Sequence, residues 1–346
     1  VDRGYLSTKK EQSDTEYMLS EDKVDDLKEM PTPPPVLREF IKIAPKDFRI
    51  PMINALLPIL GTLSSYVGAR YPYDDRMHTT SFFSVIYGPP SSGKGFVDRT
   101  DFLFDDLRLR DMVQSARENI YLRALNKRSQ NEKAPDMPHT SLRIIPPKNS
   151  EAEFLEKQRD NQGYHMYTFA AEMDSWAKGE KAAGGNKSDM IRIAWDNGEY
   201  GQQFKSANTF KGKVRLYWNV LITGTLNQVE RYFSNVENGL ASRCSFCEIE
   251  NQEYQLAQVW KPLNKKAESI VKSYMKRCDA NTYESPCTIA ADDLLSVSDE
   301  DFDKEIDWHF KFKPRQEVDM SWIIPTIDEF EKEECEKSAL ALDPAR

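Results

Sequence analysis

The sequence predicts an α/β fold in which a parallel sheet is covered by helices on both faces, giving a three-layer core. Three features predict it: an apolar run over Phe82–Tyr87, two further apolar strands over Met166–Ala170 and Leu216–Thr223, and long stretches of helical spacing between them. Strands that alternate with helices of this length are connected in parallel, because each crossover has room for a helix. We therefore expect polar residues at the ends of these strands to lie close together.

Composition restricts the class of protein. The 346 residues can bury one large core or two smaller ones, and 39% apolar with 11% aromatic content is typical of a globular protein. The formal charge of −9 excludes a generally basic surface, so nucleic acid would be contacted only locally, in a groove or channel. Five cysteines without regular spacing favour a reducing, cytoplasmic location. No membrane span is predicted, because no run of about 18 apolar residues occurs.

Composition and periodicity divide the chain into four segments. In chain order these are a charged, proline-rich linker (1–35), an N-terminal helical layer (36–80), the α/β core (81–250) and a mixed C-terminal extension (251–346). Helical spacing in the second segment runs over Val36–Arg70. Within the core we expect a long charged helix over Asp98–Lys127 and short strands over Leu142–Ile145 and Cys244–Ile249. The extension opens with an amphipathic helix over about Lys265–Arg277.

A glycine-rich loop follows the first apolar strand. It reads Gly88-Pro89-Pro90-Ser91-Ser92-Gly93-Lys94-Gly95, with Phe96 next. In such a loop the backbone N–H groups and the positive end of the following helix converge on a phosphate, and the lysine reaches the outer phosphates. The residue after the lysine is normally Ser or Thr, whose hydroxyl ligates Mg²⁺, and here it is glycine, which leaves the metal to water or to the two loop serines. We expect residues 88–96 to bind ATP with Mg²⁺; a Gly/Ser turn that binds nothing is the alternative.

Two carboxylates follow the second apolar strand. Glu172 and Asp174 stand where an NTPase needs a carboxylate that orients the attacking water. We expect Glu172 to activate the water, and both carboxylates to contribute to the Mg²⁺ site, in part through water. The Asp that usually precedes such a Glu is replaced by Ala171, so weak or absent hydrolysis stays open. The alternative is a pair of solvated acids at the start of the next helix.

The third strand and the segment after it supply two more polar candidates. The strand ends in Thr223-Gly224-Thr225-Leu226-Asn227, and we expect Asn227, or Thr225 in its place, to contact the γ-phosphate or the attacking water. Arg243 precedes the next strand, where a guanidinium offered to a neighbouring subunit would neutralise charge on the transferred phosphoryl group. An ordinary turn and a surface ion pair are the respective alternatives.

These motifs, in this order, resemble a family of P-loop proteins carried on bacterial mobile elements and plasmids, often beside primase-like genes. The resemblance covers about residues 36–335. The last motif, Glu237-Asn238-Gly239-Leu240-Ala241-Ser242-Arg243, is also similar to the arginine-finger segment of minichromosome-maintenance helicases. The resemblance implies a P-loop NTPase core of the AAA+ type. It further implies an ATPase of DNA replication or mobilisation that forms a homo-oligomeric ring, expected to be a hexameric helicase, with a primase-like partner.

Lysines between the second and third strands are candidates for binding DNA. They are Lys178, Lys181, Lys187, Lys205, Lys211 and Lys213. The alternating pattern around residues 200–215 predicts a hairpin that points into a central channel. There the lysines would bind the backbone phosphates of single-stranded DNA without reading its bases. The alternative is that these are exposed lysines with no binding role.

Two functions of different classes are therefore expected from these residues. The leading one is an ATP-driven ring motor that translocates on DNA. The second is a nucleotide-binding assembly or regulatory module with little hydrolysis, which Gly95 and Ala171 favour. A small-molecule phosphotransferase fits least well, because no arginine-rich lid is evident in the sequence.

Overall fold

A computed structural model of the chain describes residues 34–70, 77–129, 132–182, 187–202, 210–234, 239–249, 260–286 and 289–319. The helices are α1 (Pro35–Ile43), α2 (Arg49–Leu63), α3 (Asp105–Lys127), α4 (Glu151–Asp160), α5 (Met173–Ala182), α6 (Lys187–Trp195), α7 (Leu226–Tyr232), α8 (Lys265–Thr282), α9 (Ala291–Ser296) and α10 (Phe302–Glu305). The strands are β1 (Val67–Arg70), β2 (Met77–Thr79), β3 (Phe83–Tyr87), β4 (Met166–Ala170), β5 (Glu199–Gln202), β6 (Gly212–Arg215), β7 (Trp218–Gly224), β8 (Ser245–Glu248) and β9 (Gln316–Asp319). In these ranges no helix combines the length and apolar character that crossing a lipid bilayer requires. Most of the predicted linker lies outside the described residues.

The centre of the fold is a four-stranded sheet in the order β4–β7–β3–β8. All of its pairings are parallel. Strands β3, β4 and β7 are almost wholly buried, as parallel strands covered on both faces are. Strand β8 forms one edge and is more exposed. The predicted α/β class with a parallel sheet is therefore confirmed.

Helices cover both faces of this sheet. On one face, α1, α2, α8 and the segment 94–104 pack against side chains that include Ile86 and Leu221. On the other face, α4, α5 and α6 pack against Val85 and Val220. Neighbouring residues of one strand point to opposite faces, which is why Val85 and Ile86 belong to different layers. The arrangement is consistent with the predicted three layers.

A smaller sheet of order β2–β1–β9 differs from the predicted helical layer. The helical spacing over Val36–Arg70 is followed only as far as Leu63, and Val67–Arg70 is strand β1. This strand pairs antiparallel with β2 and parallel with β9, so Val67 stands opposite Gln316. β1 is therefore stabilised by pairing with β9, near the end of the described residues. Local periodicity in the sequence gives no information about this pairing.

The segment after the glycine-rich loop is a 3₁₀ helix over Lys94–Phe104, and α3 begins only at Asp105. The prediction of an α-helix from Asp98 is wrong for these first turns. The 3₁₀ segment buries Phe96 and Phe104 in the core below the sheet. Runs of 3₁₀ helix this long are uncommon and often mark a functional segment or a strained one.

Other predicted elements are present with changed lengths. The strand predicted over Cys244–Ile249 is β8, and the amphipathic helix predicted over Lys265–Arg277 is α8, which extends further. The strand predicted over Leu142–Ile145 is reduced to one parallel bridge, between Ile144 and Tyr167.

Buried charged groups join α3 to the segment beside β4. Asp111 of α3 accepts hydrogen bonds from the backbone N–H of Arg143 (3.1 Å) and of Ile144 (2.7 Å). The Arg143 side chain is itself buried and donates to the carbonyl of His165 (3.0 Å) and the hydroxyl of Ser65 (2.7 Å). One arginine therefore links three separate parts of the chain.

Asp111 is expected to make stability fall as pH rises. Burial raises the pKa of this carboxyl to about 7, although the backbone hydrogen bonds from Ile144 and Arg143 lower it. Between about pH 4 and about pH 7 the folded protein therefore keeps a proton that the unfolded chain has released, so each increase in pH removes stability. From about pH 5 to about pH 7.5, the free energy of unfolding of the wild type should fall by about 2 kcal/mol relative to Asp111→Asn. Urea denaturation at both pH values measures this, and a difference that is constant or grows with pH would contradict it.

Candidate nucleotide-binding site

The glycine-rich loop lies at the carboxyl edge of the central sheet. Tyr87, the last residue of β3, stands opposite Gly224 of β7 and Glu248 of β8. The next backbone N–H, of Gly88, donates to the carbonyl of Gly224 at 3.2 Å. The loop therefore leaves the sheet between two parallel neighbours, at the edge where α/β sheets form their ligand-binding crevices.

The backbone of the loop has a shape suited to an anion. Ser91 and Gly93 both have positive φ values, 62° and 81°, and the 3₁₀ helix begins directly after Gly93. Left-handed residues in such turns direct backbone N–H groups into a concave, anion-binding nest. A Cβ atom at Gly88 would lie 2.9 Å from the carbonyl oxygen of Ile249, so this position requires glycine.

The Lys94 ammonium is folded back into the loop. Its Nζ donates to the carbonyl oxygens of Gly88 (3.1 Å) and Pro89 (2.8 Å) and lies 3.4 Å from Oγ of Ser92. The cation thus lies beside the backbone that would surround a phosphate. A phosphate entering the loop would offer its own oxygens in exchange for these carbonyl partners.

Glu172 is positioned by the end of β7. Its side chain is exposed, and its carbonyl oxygen accepts the backbone N–H of Trp176, at the start of α5. The buried Thr223 hydroxyl donates to the carbonyl of Ala171 at 2.5 Å. This bond holds Ala171, the residue before Glu172, against the end of β7. The carboxylate is therefore solvent-accessible while its backbone is fixed.

Asp174 has a partner of its own. One carboxylate oxygen lies 2.5 Å from the guanidinium of Arg231 on α7. Within the described ranges, no cluster of three or more His, Cys, Asp or Glu side chains could hold a metal ion. Mg²⁺ at nucleotide sites is typically held by one or two carboxylates together with phosphate oxygens and water. Glu172 fits that requirement directly, and Asp174 does so once it leaves Arg231.

The polar end of β7 lies between the loop and Glu172, because β7 separates β3 from β4. The Thr225 N–H donates to the side-chain oxygen of Gln228 at 2.8 Å, which closes the first turn of α7. Asn227 is exposed in that same turn. The structure thus brings the ends of all three predicted strands to one edge of the sheet.

Arg243 is bound within its own chain. Its Nη1 donates to the carbonyl of Gly239 at 2.9 Å, and its Nη2 lies 3.8 Å from a carboxylate oxygen of Asp196. The side chain is 30% exposed, and its Nε atom is buried without a hydrogen-bond partner in the described part of the chain. A contribution to a neighbouring subunit requires the guanidinium to turn away from both partners.

The Phe96 side chain belongs to the core rather than to the loop surface. It is 4% exposed, and its ring packs edge-on against Phe48 and stacks on Trp260. Arg99, one turn later, lies over the ring of Trp260, with its guanidinium carbon 4.9 Å from the ring centroid. Only the backbone of Phe96 is therefore placed to take part in phosphate binding.

The predicted DNA-binding lysines separate into three groups. Lys187 is 4% exposed; its ammonium donates to the carbonyl of Pro147 and lies over the ring of Trp176. The prediction that it binds DNA is wrong, because this buried cation cannot reach a phosphate in solvent. The hairpin is confirmed as the antiparallel pair β5–β6. Lys178, Lys211 and Lys213 are exposed, whereas Lys205 and the side chain of Lys181 lie outside the described residues.

Two site residues, Thr223 and Arg231, were missed by the sequence analysis. For Thr223 a signal exists, since a hydroxyl at the end of an otherwise apolar strand must find a hydrogen-bond partner when it is buried. Arg231 has no such signal, because it is an exposed arginine on a short helix. Its role becomes visible only from the packing of α7 against α5.

No protein-family model matches the chain, and no curated protein is significantly similar to it. The chain's own residues combine a backbone nest for an anion, the Lys94 ammonium beside that nest, and the exposed Glu172 carboxylate next to the polar end of β7. These are the groups that phosphoryl transfer to water requires.

Proposed function

We propose that the chain binds ATP at residues 88–96 and uses it as a ring-forming motor on DNA. The observation that carries the proposal is the loop at the carboxyl edge of a parallel sheet, with Ser91 and Gly93 in the left-handed region and the Lys94 ammonium inside it. This combination of backbone shape, helix start and cation suits a chain of phosphates. The motif order and its resemblance to ATPases of mobile elements support the triphosphate as the ligand, and a cytoplasmic location with it.

Hydrolysis would use Glu172 and the end of β7. A γ-phosphate in the loop would face a carboxylate that orients water and a polar side chain such as Asn227. Mg²⁺ would be held by Glu172, phosphate oxygens and water, with Asp174 joining after it leaves Arg231. The order β4–β7–β3 supports this assignment, because it lines up these groups along one edge.

DNA binding and ring assembly complete the proposed motor. Lys213 on β6 and Lys211 just before it are exposed and would bind backbone phosphates of single-stranded DNA. Arg243 would reach the phosphates of the adjacent subunit after releasing Gly239 and Asp196. A primase-like protein is the partner that the resemblance suggests.

A second function is favoured by specific observations. Gly95 offers no hydroxyl to Mg²⁺, Asp174 is held by Arg231, and Arg243 is held within its own chain. A nucleotide-binding assembly or regulatory module would need none of these groups free. In that function ATP would order the loop and the neighbouring surfaces, and little of it would be hydrolysed.

ATP turnover by the purified oligomer, with and without single-stranded DNA, separates the two functions. For the motor we expect Mg²⁺-dependent hydrolysis that DNA stimulates. Glu172→Gln should then bind ATP normally and hydrolyse it about 100-fold more slowly or worse, since it loses the group that orients water. Glu284→Gln, an exposed carboxylate elsewhere, is the matched control and should turn over like the wild type.

Gly95→Ser sharpens the comparison. A Cβ at this position would meet no atom nearer than the Asp98 carboxylate oxygen at 4.0 Å, so a hydroxyl can be added without a clash. Binding without turnover in the wild type, with turnover gained by Gly95→Ser, would favour the regulatory module. A wild-type protein that binds no ATP would contradict both functions.

A further inference from the structure

A row of exposed cations lies on α8, on the opposite face of the sheet from the β5–β6 hairpin. The buried side of α8, which includes Val271, packs in the same core cluster as α1 and α2, whereas Tyr200 and Val214 of the hairpin pack in the cluster on the other face. The exposed cations of α8 and the segment just before it are Lys261, Lys265, Lys266, Lys272, Lys276 and Arg277. In a chain with a formal charge of −9, this is a local concentration of positive charge.

Few acids oppose this row. Glu268 is exposed on the same helix. Burial raises the pKa of Asp106 of α3, and Lys276 lies close enough to this carboxyl to oppose that shift. Asp279 is half-buried and held by Arg110 at 2.7 and 2.9 Å. In the part of the chain that the structure describes, no ion pair engages the lysines of α8. The row therefore carries a net positive charge that faces solvent.

We propose that this face of α8 binds the phosphate backbone of duplex DNA without reading its sequence. A shallow groove of about 440 Å³ runs along it, lined by Lys265, Glu268, Ser269, Lys272, Ser273 and Lys276. With a rise of about 1.5 Å per residue, Lys265, Lys272 and Lys276 are separated along the helix axis by about 10 Å and about 6 Å. Successive phosphates of one strand rise by about 3.4 Å along the duplex axis, so these intervals match about three and about two phosphates when α8 lies along that axis. The two serine hydroxyls between the lysines are further donors to phosphate oxygens.

The composition of the face favours duplex DNA over other polyanions. The exposed residues of α8 include no aromatic side chain, and sites for single-stranded DNA depend on stacking bases against aromatic rings. They also include no large apolar side chain, whereas helices that lie on membranes bury an apolar face in the lipid. The apolar face of α8 packs on the protein core instead.

This surface goes beyond the proposed motor, whose hairpin lysines would hold a single strand on the other face. It does not depend on the nucleotide site. A protein with both contacts would hold a duplex on one side of the core and a separated strand on the other.

Anisotropy of a fluorescent duplex of about 20 base pairs, titrated over a salt series, tests the proposal. In the variant Lys265→Gln/Lys272→Gln/Lys276→Gln we expect affinity at low salt to fall about tenfold or more. The slope of log affinity against log salt should become shallower by about 2 to 3, because up to three phosphate contacts are lost. The matched control, Lys127→Gln/Lys133→Gln/Lys148→Gln, changes the charge equally at exposed sites elsewhere and should bind within about twofold of the wild type.

Several outcomes would overturn the proposal. They are equal binding by the two triple variants, no duplex binding by the wild type, and a loss of affinity in the α8 triple variant that is larger for single-stranded DNA or for phosphatidylserine vesicles than for the duplex. The single variant Lys272→Gln should give about one third of the slope change and provides a milder test of the same surface. ATP binding by the triple variant should be unchanged, so loss of the DNA contact is distinguishable from failure of the nucleotide site.

Discussion

Replacing Lys94 with alanine is expected to lower ATP turnover by about 10²- to 10³-fold and to weaken ATP binding, because the outer phosphates lose their cation. The structure adds a second reason. The ammonium donates to the carbonyl oxygens of Gly88 and Pro89, so its removal also leaves two loop carbonyls without their donor. Both the empty and the occupied loop should therefore be affected.

Titration with a fluorescent ATP analogue and a steady-state turnover assay measure this effect. Lys148→Ala, at an exposed lysine outside the loop, is the control and should match the wild type in both. Lys94→Arg keeps the charge but cannot occupy the same space, so we expect it to resemble the alanine variant. Turnover that survives Lys94→Ala would show that residues 88–96 are not the phosphate site.

Replacing Arg143 with methionine is expected to destabilise the fold by about 3 to 5 kcal/mol, because several buried acceptors lose their donor and each costs about 1 to 3 kcal/mol when left unsatisfied. The guanidinium is buried and donates to the carbonyls of His165 (3.0 Å) and Thr62 (2.5 Å) and to the Ser65 hydroxyl (2.7 Å). Methionine fills similar volume but donates no hydrogen bond. Asp111 would also lose the larger of the two positive charges, Arg143 and Lys157, that lower its pKa.

Urea denaturation compares this variant with Arg123→Met. Arg123 is 51% exposed and pairs with Asp299, and exposed ion pairs contribute about 1 kcal/mol or less. We expect the midpoint of the Arg143 variant to fall far more than that of the control. Equal shifts would mean that burial of the Arg143 network contributes nothing special to the fold.

The central sheet and the loop could be predicted because each strand and the loop are contiguous stretches of sequence with a recognisable residue pattern. Strands buried on both faces are largely apolar runs, as in Met166–Ala170, and the loop is a contiguous motif that contains Lys94. Glu172 was predictable for a related reason, since its place at a strand end follows from the strand itself. Because the carboxyl ends of parallel strands meet at one edge, the position of the loop and of Glu172 follows once the strands are known.

What could not be predicted depends on contacts between distant segments. Lys187 sits in a locally basic, glycine-rich stretch, which favours exposure, yet Trp176 and Pro147 enclose it. Arg243 is held by Asp196, almost fifty residues earlier in the chain. Strand β1 likewise exists because β9 pairs with it. Local periodicity contains no information about such partners.

The pairing of β1 with β9 also has a consequence for biosynthesis. Val67 and Gln316 are neighbours in the folded protein. During translation, β1 can therefore pair with β9 only after almost all described residues have left the ribosome. The central sheet, complete at β8, is free to form beforehand, while the β1 edge stays open to misassociation. Pairing of β9 with β1 should therefore be a late and slow step in the folding of this protein.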